Sequence, residues 1–405
     1  MLGAATAAPH DAGMTTEPPT AARPPTRLHF IDTLRIAAFA LLVLYHVGMY
    51  YVSWDWHVKS PHAGPVLEPL MRLLSPWRMS LLFLVSGVAT GVLLQRPGTT
   101  LRGRLKRLLL PLLFGMALVV PPQSWLEVQQ KLGWDGGYAE FLGLYASAYD
   151  GFCRGDDCLV LPTWNHLWFL PYLAVYTGLA WALVRHARGP QSVLQRGAAW
   201  LAVGPWRWLL PVAWLLATRV LLAPHFPTTH ALVDDWTMHA QYAPIFLVGV
   251  LWAREPSVWA DLARKRHVAA VALLLAWVVM LVAEPLLARR LAASVAQWAG
   301  VVAALGYARH RLDRPWPWLK PLGEAVFPLY LVHQTITIVA ARLLLAPLAW
   351  PPLVEGPVLV AITFGGGAAF WLAVRRVPWL RVWCGLSPLQ PSRSEVASNA
   401  ARSVV

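Results

Sequence analysis

An all-α polytopic membrane protein with about ten transmembrane helices and both ends inside is the fold this sequence predicts. Three observations predict it. Of the 405 residues, 57% are hydrophobic and only 13% charged, with mean hydropathy +0.48; a soluble domain carries about twice that charged fraction. The apolar residues fall in runs of about 20 without period-two alternation, the length that crosses a hydrocarbon core of about 30 Å. Lipid leaves only helices or closed barrels as spanning elements, because every backbone polar group must be paired internally. Finally, the basic residues sit in alternate loops.

Taken in order, residues 1–26 are rich in Ala, Pro and Thr and contain no apolar core. They read as a disordered cytoplasmic tail, with no cleavable signal peptide. A transmembrane domain is expected over 27–380 and a cytoplasmic tail over 381–405. Spans are expected near 33–52, 77–95, 108–121, 164–184, 208–223, 239–253, 267–284, 291–308, 322–347 and 358–374. The third, fifth and sixth are short. With the N-terminus inside, 24 Lys and Arg fall in inner segments and 6 in outer ones, and Arg35, Arg78, Arg219 and Arg342 lie within or beside spans. That bias sets the orientation. The formal charge of +14 would suggest nucleic acid on a soluble protein; its confinement to loops between apolar runs argues otherwise. Trp54, Trp77, Trp164 and Trp206 mark span ends, as an interfacial belt does.

Cys153 and Cys158 share one outer loop, where either a disulfide or two free thiols is allowed. Cys384 stands alone. The cysteines show no metal-ligand spacing, and no metal is expected.

Ionisable groups inside a span are costly and mark candidate function. The first span carries Asp32, Arg35 and His46. Arg35 and His46 are 11 residues apart, three turns plus about 20°, so they share one helix face roughly 16 Å apart. Asp32, three residues before Arg35, is placed to orient the guanidinium. An Arg near the inner surface holds phosphate, and a neutral imidazole farther along the same face takes a proton from a hydroxyl. Their bland reading is a snorkelling Arg and a hydrogen-bonded structural His.

Other polar groups lie outward. Trp164-Asn165-His166 opens the fourth span, Arg219 closes the fifth, and His333-Gln334 follows Tyr330 within the ninth. His225, His230, Asp234, Asp235 and His239 read as a solvated loop rather than a site. Arg102, Arg104, Lys106 and Arg107 enter the third span, either as a topology signal or as a phosphate clamp beside Arg35. Ser86-Gly87 is a small pair that allows close helix contact. The chain has neither a Gly-rich phosphate loop nor a Gly-x-Ser-x-Gly elbow.

Several of these motifs occur in a familiar order. Phe30-Ile31-Asp32-Thr33-Leu34-Arg35 followed by His46, Arg78 to Gly87, and Arg104-Leu105-Lys106-Arg107 with Pro111 come first. His166 to Leu170 and Tyr330 to His333 complete the series. Together they resemble the integral-membrane acyltransferase 3 family over most of 27–375. Trp56 to Ser60 and Trp77-Arg78-Met79 are most similar to its glucans biosynthesis protein C group. The resemblance implies transfer of an acyl group, succinyl or acetyl, from cytoplasmic acyl-CoA to a hydroxyl of a periplasmic glucan or other envelope carbohydrate. It implies a multi-pass protein of the bacterial inner membrane that contacts lipid, holds no permanent cofactor and binds no nucleic acid. The family's Arg and His map onto Arg35 and His46, its Arg-x-x-Arg pair onto Arg104 and Arg107, and His166 and His333 join the catalytic set with Asp32. The second-span motif departs from the family in reading Leu-Phe-Leu-Val-Ser-Gly where a double Phe is common. The rival class is an exporter of glycans or lipid-linked sugars, which ten spans with buried charges also fit.

Overall fold

The computed structural model describes residues 28–94, 96, 98–186, 204–253 and 255–388. The expected N-terminal tail and the C-terminal residues from 389 onward lie outside these.

Each expected span falls on a helix. These are α1 His29–Tyr51, α2 Glu68–Leu93 and α3 Leu101–Phe114. Beyond α3 come α4 Pro121–Leu132, α5 Tyr138–Ala146 and α6 Phe169–His186. The second half holds α7 Trp206–Ala217, α8 Trp236–Trp252, α9 Pro256–Val282 and α10 Leu286–Arg311. It closes with α11 Leu319–Val339, α12 Pro352–Val374 and the short α13 Pro378–Trp383. Among the described residues, seven helices are long and apolar enough to cross a membrane. The bent pair Leu101–Val119 and Pro121–Leu132, at 46°, brings the number to eight if counted as one span. The helices at the fifth and sixth expected spans are shorter: 12 residues of α7 with a five-residue π-helical turn, and 17 of α8.

Helices overrun the apolar runs because polar ends continue the same hydrogen-bond ladder. The clearest case is α2, which starts at Glu68 instead of near 77 and carries Pro76 inside. Within lipid, a neighbouring element satisfies the carbonyl that a proline frees. Unforeseen helices α4 and α5 lie between the third and fourth expected spans, with the two-residue strands β1 Cys153–Arg154 and β2 Asp157–Cys158 after them. Cys153 and Cys158 are bridged. Residues 381–388 pack on the bundle, where Arg381 is buried and Nη2 donates to Glu324.

Two helix pairings position the site. Between α1 and α11, Arg35 bonds Gly323 and His46 bonds His333, at nearly equal sequence separations of 288 and 287. The two helices therefore run parallel in fixed register. Between α2 and α8 the backbones nearly touch. A Cβ on Gly87 would sit 2.1 Å from the Phe246 carbonyl oxygen, and one on Gly249 would sit 2.2 Å from that of Leu84. The Ser86-Gly87 pair thus makes the close approach its size implies. On the outside of the bundle, α9 exposes Val271, Leu275 and Val282, as a lipid-facing surface does.

Candidate active site

A cavity of about 1750 Å³ opens among the loops at the C-terminal end of α1 and reaches down to the middle of α1 and α11. Its deep wall holds His46, Arg78, His166, Tyr330 and Gln334. Its outer walls include Asp55–His57, Glu127, Lys131, Trp164, Trp168 and the segment His225–Ala231.

The histidines order one another. Nδ1 of His333 lies 2.7 Å from the Tyr330 carbonyl oxygen, which only accepts, so this nitrogen carries the hydrogen. In a neutral ring Nε2 is then the acceptor. Nδ1 of His46 lies 3.0 Å from that Nε2 and must donate to it. The assignment, inferred from the partners, leaves Nε2 of His46 as a lone pair with no hydrogen-bond partner among the described residues. The two rings are nearly parallel, 9° apart. Phe39 packs edge-on against His333.

His166 belongs to the same cluster, its ring centroid 5.1 Å from that of His333. Its Nε2 donates to the Leu331 carbonyl at 3.0 Å, and its Nδ1 faces the Gln123 amide at 3.4 Å. Tyr330 donates its hydroxyl to the His166 carbonyl. With both ring nitrogens engaged, His166 supports the cluster and holds no free base.

Gln123 is the hub that sequence reasoning missed. It is fully buried. Its Nε2 donates to Thr335 Oγ1 at 2.5 Å, while its Oε1 accepts from Gln334 at 3.0 Å and from Asn165 at 3.3 Å. Thr335 passes its own hydrogen to the Val119 carbonyl, in the π-helical turn Gly115–Val119 between α3 and α4. Turns of this type recur at functional sites. Asn165 reaches Gln123 with φ of 41°, a left-handed conformation that Asn tolerates better than most residues.

At the mouth, α4 grips the loop after α1. His57 bonds Glu127, and Lys131 bonds both Glu127 and Asp55 at 3.0 Å. The backbone of Lys59 exchanges two hydrogen bonds with the Gln130 side chain. The Lys59 ammonium donates to the Met49 and Trp54 carbonyls, and burial pulls its pKa down to about 8. The Asp55–His57 stretch is thereby fixed as one wall.

The segment around 225–239 is more than the solvated loop its composition implies. Asp235 is fully buried, accepting from the Tyr172 hydroxyl at 2.6 Å and the His230 amide at 2.9 Å. His239 bonds the Tyr176 hydroxyl and the Leu232 carbonyl. These bonds fold His225 and His230 over the cavity.

Asp32, Arg35, Arg104 and Arg107 lie at the other end of the bundle, outside the lining of the cavity. Arg35 donates to Gly323 at 3.2 Å and keeps Asp32 at 3.9 Å, with 42% of its side chain exposed. Asp32, about 21 Å along α1 from His46, orients the guanidinium and is remote from the imidazoles. Arg107 bonds Ser387, just beyond α13, and the Nε of Arg104 is buried with no hydrogen-bond partner among the described residues. Arg35 next to Gly323, Glu324 bonded to Arg381, and Ser387 bonded to Arg107 draw the N-terminal halves of α1, α3 and α11 towards α13.

Comparison with known proteins gives the family. A family model described as an acyltransferase domain matches residues 28–372. Glucans biosynthesis protein C of Escherichia coli strain SMS-3-5 / SECEC is 30% identical over 158 residues, 38% of this chain and 38% of that protein. Its counterpart in Escherichia coli strain K12 aligns at the same identity over the same shares. The match therefore takes in about two fifths of these curated relatives' length. No solved structure matches the chain.

Proposed function

Because the chain belongs to the acyltransferase domain family, and is thus a multi-pass membrane acyltransferase, we propose that it moves a short acyl group from cytoplasmic acyl-CoA to a hydroxyl of an extracytoplasmic glycan. The observation that carries this reading is the His46 imidazole. Its lone pair faces a cavity entered from the outer loops, and its tautomer is fixed by His333 and Tyr330.

In this mechanism an acceptor hydroxyl reaches His46 from the cavity. Nε2 takes the proton as the oxygen attacks the thioester carbonyl carbon. The imidazolium is stabilised through its Nδ1–H on His333. Collapse of the tetrahedral intermediate breaks the C–S bond and forms the ester. The leaving thiolate recovers the proton from His46, so the enzyme ends as it began. Arg35, oriented by Asp32, binds donor phosphates with Arg104 and Arg107 at the inner end. The separation of roughly 16 Å from Arg35 to His46 suits an extended pantetheine arm.

This reading places ten crossings in a bacterial inner membrane with both ends inside. The bias of basic residues supports it, as do the parallel pairings of α1 with α11 and of α2 with α8, where Gly87 meets Phe246 and Gly91 meets Val250, as alternating crossings require. The glucan named for the similar Escherichia coli proteins makes a glucan the first acceptor to try, with succinyl and acetyl as the acyl groups.

The test is transfer of radiolabelled acetyl and succinyl groups from CoA to glycan in vesicles. Label appearing with the wild type and absent with His46→Ala at equal expression is the expected result. Full transfer by His46→Ala would remove the imidazole from the chemistry.

A further inference from the structure

Arg78 is the charged side chain that this chemistry leaves unused. It lies on α2, only 8% exposed, and lines the cavity at the depth of His46. Its Cζ sits 3.4 Å from the ring centroid of Tyr45, the residue before His46. Its Nε and Nη1 are buried with no hydrogen-bond partner among the described residues. No carboxylate among the described residues pairs with it, since the acids that line the cavity, Asp55, Glu127 and Asp234, belong to the outer loops and the mouth.

A topology signal does not explain this arginine. Such residues lie exposed in loops, whereas Arg78 is buried on a helix, stacked on Tyr45 and lining the cavity. A guanidinium buried away from water is costly unless an opposite charge joins it. The Tyr45 ring offsets only part of that cost. The missing partner is thus an anion that arrives through the cavity and stops beside His46. Donor phosphates do not fit the position, because Arg35, Arg104 and Arg107 stand at the far end. An acetyl group brings no charge.

We propose, building on the acyltransferase reading, that Arg78 binds a free carboxylate on the acyl group itself, so that it selects half-thioesters of short dicarboxylic acids over acetyl-CoA. Arg78 is then the residue that sets acyl specificity, while His46 carries the proton. The planar guanidinium matches a carboxylate in a way an ammonium does not.

The experiment measures binding of succinyl-CoA, acetyl-CoA and bare CoA to purified protein in detergent, with Arg78→Gln and Arg78→Lys beside the wild type. The wild type binds succinyl-CoA between about 10-fold and about 100-fold more tightly than acetyl-CoA, the range for hydrogen bonds to a charged group. Arg78→Gln brings that ratio close to one and Arg78→Lys restores part of it, while bare CoA still binding both variants shows that they are folded. Equal wild-type affinities for the two thioesters, or an unchanged preference in Arg78→Gln, overturns the assignment and leaves the acyltransferase reading standing. Equal loss of both thioesters in Arg78→Gln also overturns it, in favour of a contact to the shared thioester carbonyl. Absence of wild-type binding to all three ligands overturns the acyl-CoA donor reading, and this assignment with it.

Discussion

Nδ1 of His46 and Nε2 of His333 lie 3.0 Å apart, although 287 residues separate them in the chain. Because the second nitrogen of His333 is committed to the Tyr330 carbonyl, the contact fixes which nitrogen of His46 is basic. Helix α11 thereby determines the chemistry available on α1.

On the proposed mechanism, replacing His333 weakens catalysis without touching His46. His333→Ala lowers kcat by about 100-fold or more, within the range of acid–base contributions, with KM for the donor little changed. His333→Gln, which retains an acceptor oxygen for Nδ1–H, recovers part of the rate. Single-turnover acyl transfer distinguishes the two.

Gln123 joins α4 to α11 and to the start of the fourth expected span. Gln123→Leu strands the buried Gln334 amide without its acceptor, at a cost of about 1–3 kcal/mol, and leaves the Asn165 Nδ2 only its bond to Ser124. The expected result is a lower thermal midpoint in detergent together with reduced kcat, because the support of His166 goes with it. An unchanged midpoint would show that water replaces the amide.

Arg35→Lys keeps the charge but loses the planar fork suited to phosphate. KM for acyl-CoA rises by about 10-fold while kcat at saturation changes little. Steady-state kinetics with bare CoA as competitor measures the same loss as weaker inhibition.

Gly87→Val drives a branched side chain into the Phe246 carbonyl. Overpacking of this kind typically costs about 1–3 kcal/mol, and here backbone rather than a flexible side chain stands in the way. Reduced yield of folded protein is expected, with the same outcome for Gly249→Val. The check is the monodisperse fraction on size exclusion.

The Cys153–Cys158 bridge closes a loop of only a few residues, so chain entropy gives it about 2 kcal/mol. Cys153→Ser is expected to fold and to transfer acyl groups. In intact cells, a membrane-impermeant maleimide labels Cys158 of that variant if the loop faces outward. Labelling that requires lysis would reverse the orientation.

The shared face of Arg35 and His46 was legible because helical periodicity places residues 11 apart on one side. Both side chains duly meet α11. Ser86-Gly87 was legible for a similar reason, since a small pair in lipid has few other uses. His333 was legible as a polar group in a span, but its pairing with His46 was not: nothing local encodes a contact across 287 residues. Gln123 carried no signal at all. An amide at the start of a short helix resembles any polar loop residue until Thr335, Gln334 and Asn165 converge on it. The start of α2 is not legible because Glu68, Arg72 and Ser75 break the apolar run over its first turns. Asp235 was read as solvated because its partner, Tyr172, comes from a distant helix.

The parallel register of α1 and α11 has a mechanical consequence. One polar tie at Gly323 and another at His333 pin the two helices at points ten residues apart on α11, about 15 Å. The pair behaves as a strut with a rivet at each end. Sliding by even one helical turn, about 5.4 Å, shears both rivets together. The spacing between Arg35 and His46 is therefore a fixed gauge, and any motion that admits or releases a ligand must occur in the helices around that strut.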